Sequence, residues 1–337
     1  MDNLTHTLIG ASIASIVMGR RPTRRAIVAG AIIANLPDLD VFIPHDNIID
    51  AMTYHRGFTH SLFFETLATP VIAYGARYVV PAAREHWPRF LLVTWLCLIT
   101  HALLDSLTTY GTNLFWPFNL GPPVAFASIF IIDPLFTGLL LVAVVFLIVR
   151  RGKPDKGYPV HRALFAVAMA YLAIGMAGHV SVDARAAETP SFKGKRILVQ
   201  PGPLTILYWQ VLGVSDKKTE TGVTSLLPFC PIDVTNTLSR MSEPPDGLAV
   251  SPAVARLEWF TAGFFGFSTL GDRLDITDLR IGVPPGFGFS YQIAEERDGR
   301  YRSIAPRPAL RPLTRIGSLL GVYTDGWANL KRCLGGS

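Results

Sequence analysis

His101 and Asp105 stand four residues apart in an apolar run. On a helix that spacing puts an imidazole and a carboxylate on one face, where both reach a single ion. Such a pair arises by chance in many helices, so it carries little alone. The chain holds more of the same chemistry. Asp38 and Asp40 follow Asn35, Leu36 and Pro37; alternate residues of an extended segment point the same way, so the two carboxylates are expected to aim together. His55 and His60 bracket Arg56, Gly57, Phe58 and Thr59, and Gly57 allows a tight turn between the imidazoles. His6 and Asp133 complete the set of candidate metal ligands. Imidazole with carboxylate suits zinc first, with manganese or iron as the other options.

Each residue also has a plainer reading. His6 could sit at a helix start, and Asp38 or Asp40 could cap a loop or pair with Arg56. Asp133 precedes Pro134 and could start a helical turn, or orient a ligand without touching metal. Arg56 could hold an anionic group or simply bridge to a loop aspartate. Glu65, one turn beyond His60, and His179 are weaker candidates. His45 and His86 read as loop residues.

These side chains need a scaffold, and composition says which kind. The chain has 337 residues, 50% of them hydrophobic and only 17% charged, and its mean hydropathy is +0.34. Water-soluble domains carry about 25% charged residues. Six apolar runs are expected to span a membrane, at 4–19, 23–37, 62–80, 89–106, 125–149 and 162–180. The first has no basic residues before it and reads as a retained helix, not a signal peptide. Arg20, Arg21, Arg24, Arg25, Arg77, Arg84, Arg89, Arg150, Arg151, Lys153, Lys156 and Arg162 fall in alternate loops. The other loops hold only Arg56, a bias of 12 against 1. By the positive-inside rule the basic loops are cytoplasmic. His6, Asp38, Asp40, His55, His60, His101, Asp105 and Asp133 then all fall on the outer side, although none entered the topology assignment. Ionisable groups at membrane depth are costly and mark function. The net charge of +6 follows from topology; no nucleic-acid motif accompanies it.

Residues 181–337 contain no spanning run. Strands are expected at 196–200, 205–213, 222–227, 256–267, 273–281 and 287–294, separated by Gly and Pro turns. The expected architecture is a polytopic α-helical membrane protein of about six spans, residues 1–180, with a C-terminal β-rich extracytoplasmic domain, residues 181–337. Cys97 lies in an apolar run and reads as packing. Cys230 and Cys333 would pair if that domain is exported, though spacing alone does not bring them together.

Asn3, Leu4, Thr5 and His6 with Gly10, the stretch from Asn35 to Asp40, the stretch from His55 to Ser61, and His101 to Asp105 occur in that order. With Thr108 to Thr112, Trp116 to Phe118 and Asp133 to Phe136, they resemble the YdjM-like predicted membrane-bound metal-dependent hydrolases. The likeness runs from residue 3 to about 180, and Trp259 to Thr261 and Asp275 to Arg280 extend it into the tail. That family is similar in turn to the zinc-dependent phospholipase C and single-strand nuclease superfamily. The resemblance implies that His6, Asp38 or Asp40, His60, His101 and Asp105 touch metal. Those enzymes use a processed N-terminal amine and a later His-carboxylate pair, whereas here Met1 precedes His6 by five positions and only Asp133 and His179 follow. One or two divalent ions are therefore expected.

The expected function is a metal-dependent hydrolase in the cytoplasmic (inner) membrane, with N-terminus, metal site and C-terminal domain outside. Asp38 or Asp40 would take a proton from metal-activated water and Arg56 would hold an anion. A lipid or lipid-linked phosphoester is the expected substrate. The alternative is a metal-binding membrane protein without hydrolysis, serving transport, sensing or structure. Transporters hold their ions near the midplane, whereas these residues fall at helix ends.

Overall fold

The structure is a computed structural model that describes residues 1–19, 23–149, 154–283, 286–309 and 314–335. Arg20, Arg21, Arg150, Arg151 and Lys153, which the topology reading uses, lie outside the described residues. The chain forms two compact units. The first comprises Met1–Phe42, His55–Phe126 and Ile131–Gly175; the second comprises Ile43–Tyr54, Ala127–Phe130 and Met176–Ser337.

The first unit is helical. Its helices are α1 (Asn3–Met18), α2 (Arg24–Ile33), α4 (Leu62–Ala76), α5 (Pro81–Glu85), α6 (Trp87–Ser106), α7 (Pro134–Val149) and the first part of α8 (Pro154–Glu188); α3 (Ile48–Tyr54) belongs to the second unit. Local chemistry sets where the helices begin. The Asp2 carboxylate accepts from Thr5 N at 3.0 Å, and Thr23 Oγ1 accepts from Ala26 N at 3.2 Å. Each satisfies an amide that the helix start would otherwise leave unpaired. Helix α1 packs against α2, α6 and α7. Its crossing with α2 is made by Gly10 and Gly30: a Cβ on Gly10 would lie 2.3 Å from the Gly30 carbonyl oxygen. Small residues at such crossings let helix backbones approach where no water drives association.

Among the described residues, two helices are long and apolar enough to cross a membrane, Trp87–Ser106 and Tyr158–Glu188. Asn3–Met18, Leu62–Ala76 and Pro134–Val149 are shorter apolar helices at three other expected spans. The expected second span is a helix of only 10 residues, about half of what crossing requires. The fifth begins later than expected. Residues 125–133 are irregular and α7 starts at Pro134, because proline fits a first helical turn and Asp133 Oδ1 accepts from Leu135 N and Phe136 N at 3.1 and 3.0 Å.

Among the described residues, the second unit carries two four-stranded antiparallel sheets. One is β1 (Arg196–Pro201), β2 (Tyr208–Val214), β3 (Lys218–Ser225) and β4 (Asp233–Ser239). The other is β5 (Phe265–Leu270), β6 (Arg273–Val283), β7 (Gly286–Arg297) and β8 (Arg300–Pro308), each in sequential order. Leu198, Leu212 and Val214 of the first meet Phe264, Leu279 and Phe287 in one core. The strand expected over 256–267 is corrected: its first part is helix α9 (Pro252–Phe260). Ser251 and Pro252 start the helix, and Ala253, Val254, Leu257 and Phe260 form a buried stripe at helical spacing. A last helix, α10 (Thr314–Cys333), packs on β3 and β7, and Cys333 is disulfide-bonded to Cys230. Cys97 is free and buried.

Candidate metal centre

Helix α6 presents His101 and Asp105 from one face, as their spacing requires. The chain after α2 turns through a 3-10 helix, Pro37–Phe42, and a second short 3-10 turn, Phe58–His60, enters α4. These elements bring Asp38, His60, His101 and Asp105 together, with one ligand atom from each lying within 4.8 Å of the others. His60 Nε2 and His101 Nε2 face each other at 3.0 Å. Asp38 Oδ1 is 3.4 Å from both nitrogens, and Asp105 Oδ2 is 3.5 and 3.6 Å from them. All but Asp38 are fully buried; Asp38 is 13% exposed and forms the open edge. The donor set fits a divalent ion. His101 Nδ1 lies 2.6 Å from the Ala34 carbonyl oxygen, to which it donates, so its Nε2 lone pair turns inward, the usual arrangement for a metal-bound histidine.

Asp105 has a second neighbourhood. Its Oδ1 is 3.1 Å from His6 Nε2 and accepts from the buried amine of Met1. The His6 ring stacks on His101 at 3.8 Å. Asp105 therefore faces the His60–His101 pair with one oxygen, and His6 and the Met1 amine with the other.

The expectation that Asp38 and Asp40 aim together is corrected. In an extended segment alternate residues align, but a 3-10 helix turns once every three residues. Asp38 reaches the cluster, and Asp40 turns toward the loop behind it. There Asp40 Oδ1 accepts from His55 Nδ1 at 2.7 Å; Oδ2 accepts from Thr59 Oγ1 at 2.7 Å and Arg56 N at 3.0 Å. Thr59 Oγ1 lies 3.0 Å from His60 Nδ1. Asp40 thus fixes the loop that carries His60. His55 sits at the rim, 23% exposed.

Arg56 is buried. Its Nε pairs with Asp105 Oδ2 at 2.9 Å, a guanidinium nitrogen donates to Thr108 Oγ1 at 3.1 Å, and Tyr110 lies under it at 4.9 Å. Of its two readings, the salt bridge is the contact observed, to the helix aspartate Asp105 and not a loop one. Asp133 is not in the cluster; Tyr171 OH donates to its Oδ2 at 2.7 Å and its other oxygen caps α7. His179 belongs to the second unit, where its Nδ1 is 3.3 Å from the Ala127 carbonyl. Glu65 is buried on α4, close enough to Asp105 for their charges to interact, and neither of its oxygens has a hydrogen-bond partner among the described residues. Sequence reasoning gave no role to Thr59, Thr108, Tyr110 or the Met1 amine, although the first three lie in stretches that carry the resemblance. Thr59 was within reach, since a hydroxyl beside a ligand histidine is a common orienting group.

The loop groups titrate as this network dictates. Burial alone would raise the Asp38 carboxyl, yet its contacts with His101 and His60 hold it well below the usual carboxylate range. Burial would raise Asp40 too, and the His55 contact overrides it downward. For His60 burial lowers, but Asp105 and Asp38 outweigh it and hold the imidazole above its ordinary value.

Apolar helices surround a buried His/Asp cluster that is a candidate divalent-metal centre. The chain belongs to the family described as YdjM inner membrane protein, which matches residues 1–182 and so contains the whole cluster. It is an inner-membrane protein on that ground. It is 37% identical over 98 residues to the "Inner membrane protein YbcI" of Escherichia coli (strain K12), covering 27% of this chain and 52% of that protein. It is 30% identical over 129 residues to the "Uncharacterized protein YfhP" of Bacillus subtilis (strain 168), covering 35% of this chain and 38% of that protein. The chain thus spans about half or less of the curated relatives it matches. No solved structure matches.

Proposed function

We propose that this protein is a metal-dependent hydrolase that cleaves a phosphoester of a lipid or lipid-linked substrate at the outer face of the membrane. The observation that carries the reading is the convergence of Asp38, His60, His101 and Asp105 on one point. Asp38, His60, His101 and Asp105 would hold one divalent ion, with His6 and the far oxygen of Asp105 available to a second. Zinc fits this mixed nitrogen and oxygen set best, with manganese next. When bound, the ion acidifies water and stabilises negative charge on the phosphoester oxygens.

The chain's own residues do the rest. Asp38, on the open edge, is the carboxylate placed to take the proton of the attacking water, through the oxygen that does not face His60 and His101. Asp40 orients His55 and, through Thr59, His60. Arg56 balances the charge of Asp105, so that the cluster's carboxylates repel an anionic substrate less. The outer-face placement draws support from the bias of Arg and Lys among the loops and from the Cys230–Cys333 bridge, since disulfides persist in oxidising compartments. The metal reading without hydrolysis draws on the burial of His60, His101 and Asp105, which suits a closed structural site. The partial exposure of Asp38 and His55 favours an open, reactive one.

The test is metal content and turnover measured on the same detergent-purified samples. Wild type is expected to carry stoichiometric zinc or manganese and to hydrolyse phosphoesters, and His101→Ala to lose both while still unfolding cooperatively. Stoichiometric metal without turnover on any phosphoester would replace the hydrolase with a structural or sensing site. A wild type that binds no metal after supplementation would remove both.

A further inference from the structure

The metal centre has an apolar border. The 3-10 helix Pro37–Phe42 has three edges, because residues three apart eclipse one another. Pro37 and Asp40 form the buried edge. Asp38 shares the second with Val41, which is 58% exposed, and Leu39 shares the third with Phe42, which is 79% exposed. The one turn that delivers Asp38 to the cluster thus turns Leu39, Val41 and Phe42 outward. A second segment repeats the pattern. In the irregular loop after α6, Trp116, Phe118 and Leu120 are all exposed. That loop is tied to the segment carrying His60. Asn113 N donates to the Arg56 carbonyl and Leu62 N to the Leu114 carbonyl, both at 3.0 Å, and Ser61 Oγ donates to the Trp116 carbonyl.

Charge is as telling as exposure. From Ser106 to Ile132 the chain contains no Asp, Glu, Lys, Arg or His, where a water-facing segment would carry about a quarter. Outward-facing rings without charges beside them suit the level of a bilayer where headgroups meet chains. They do not suit bulk water, where exposed apolar patches mark binding surfaces or association. The surface also continues onto a helix: the Phe118 ring meets Phe63 at 6.0 Å, and Phe63 begins the exposed apolar face of α4 that includes Leu67 and Val71.

We propose that Leu39, Val41, Phe42, Trp116, Phe118 and Leu120 form a lipid-embedded rim around the metal centre, so that its open edge at Asp38 faces the chain-headgroup boundary of the bilayer. The occupant of the rim is lipid acyl chain. The consequence for substrate rests on the hydrolase reading: a substrate keeps its tail on the rim and its phosphoester at Asp38, and arrives sideways from the membrane, not from water.

The experiment uses the full chain in phosphatidylcholine–phosphatidylglycerol vesicles. Phe42→Cys and Leu120→Cys are each labelled with an environment-sensitive fluorophore, the native cysteines being bridged or buried. Shallow doxyl-labelled phosphatidylcholine is expected to reduce the emission of both labels more than aqueous iodide does. Stronger quenching by iodide, or protection from both quenchers because a second copy of the chain covers the rim, would overturn the proposal. In the same vesicles the wild-type kcat/KM is compared for a long-chain and a short-chain phosphoester with one headgroup. The double variant Val41→Asn with Phe42→Asn is expected to cut the long-to-short ratio about tenfold, and an unchanged ratio would overturn the tail-guided entry. If metal-loaded wild type turns over neither substrate, the hydrolase reading and tail-guided entry fail together, while the quenching result still decides the rim.

Discussion

Asp40 is the residue on which the loop of the metal centre depends. Its carboxylate receives three hydrogen bonds, from His55, Thr59 and the Arg56 amide, and so sets where His60 stands. Asp40→Asn keeps the volume but removes an acceptor. It is expected to weaken metal binding about 10- to 100-fold, the usual cost of losing an orienting partner, read by competition with a chelator. The pH response follows from the same loop. His60 is held above its ordinary value by Asp105 and Asp38, so its contribution is complete below about pH 6.5 and fades as pH rises through the folded value. Asp38 and Asp40 are held low, so theirs is complete above about pH 4 and is lost as pH falls through their folded values. Metal-stripped protein should therefore melt highest between those limits. The gain in melting temperature from added zinc should grow above them, because the ion needs His60 neutral; a gain that shrinks with rising pH would contradict the assignment. At this scale the sequence was legible in residue type but not in direction. The spacing of His101 and Asp105 predicted their shared face because a helix has one geometry. The spacing of Asp38 and Asp40 misled because two residues apart means one thing in a strand and another in a 3-10 turn.

The glycine crossing of α1 and α2 positions two of the site's arms. Helix α1 carries His6, and α2 leads into the turn that carries Asp38. Gly10 and Gly30 leave no room for a side chain between them. Gly10→Val is expected to cost about 1–3 kcal/mol through overpacking and to lower metal affinity by separating His6 from Asp105. Gly75, inside α4, is the contrast, because a Cβ there would meet nothing within 4 Å. Gly75→Ala should be neutral or stabilise by up to about 1 kcal/mol. Thermal unfolding in detergent compares the two, and equal effects would argue against the close crossing. The apolar runs were legible as helices because hydrophobicity is a local property. Their ends were not always so, as α7 shows, since a start at Pro134 depends on a carboxylate at 133 and a ring at 171. Helix α9 hid for a related reason: an apolar stretch of strand-like composition is helical once a Ser-Pro pair starts it.

At the scale of the whole molecule, the strands at β1, β6 and β7 matched their sequence signals, whereas their division into two sheets sharing one core depended on contacts distant in sequence. The Cys230–Cys333 bridge is of that kind too: composition permitted it and only the fold located it. Removing it by Cys333→Ser is expected to destabilise the sheet unit by about 2–5 kcal/mol, read as a lower unfolding midpoint that reductant reproduces in wild type. A variant that unfolds like wild type would show the bridge to be dispensable.

That bridge also has a timetable. Its two halves are separated by 103 residues, so at about 5–20 residues per second Cys230 emerges roughly 5–20 s before its partner exists. Through that interval its thiol is exposed to any oxidant. The chain offers it only one other sulfhydryl, Cys97, which the folded α6 keeps inside. Early insertion of the helical half thus withdraws the one wrong intramolecular choice before the right one has been synthesised.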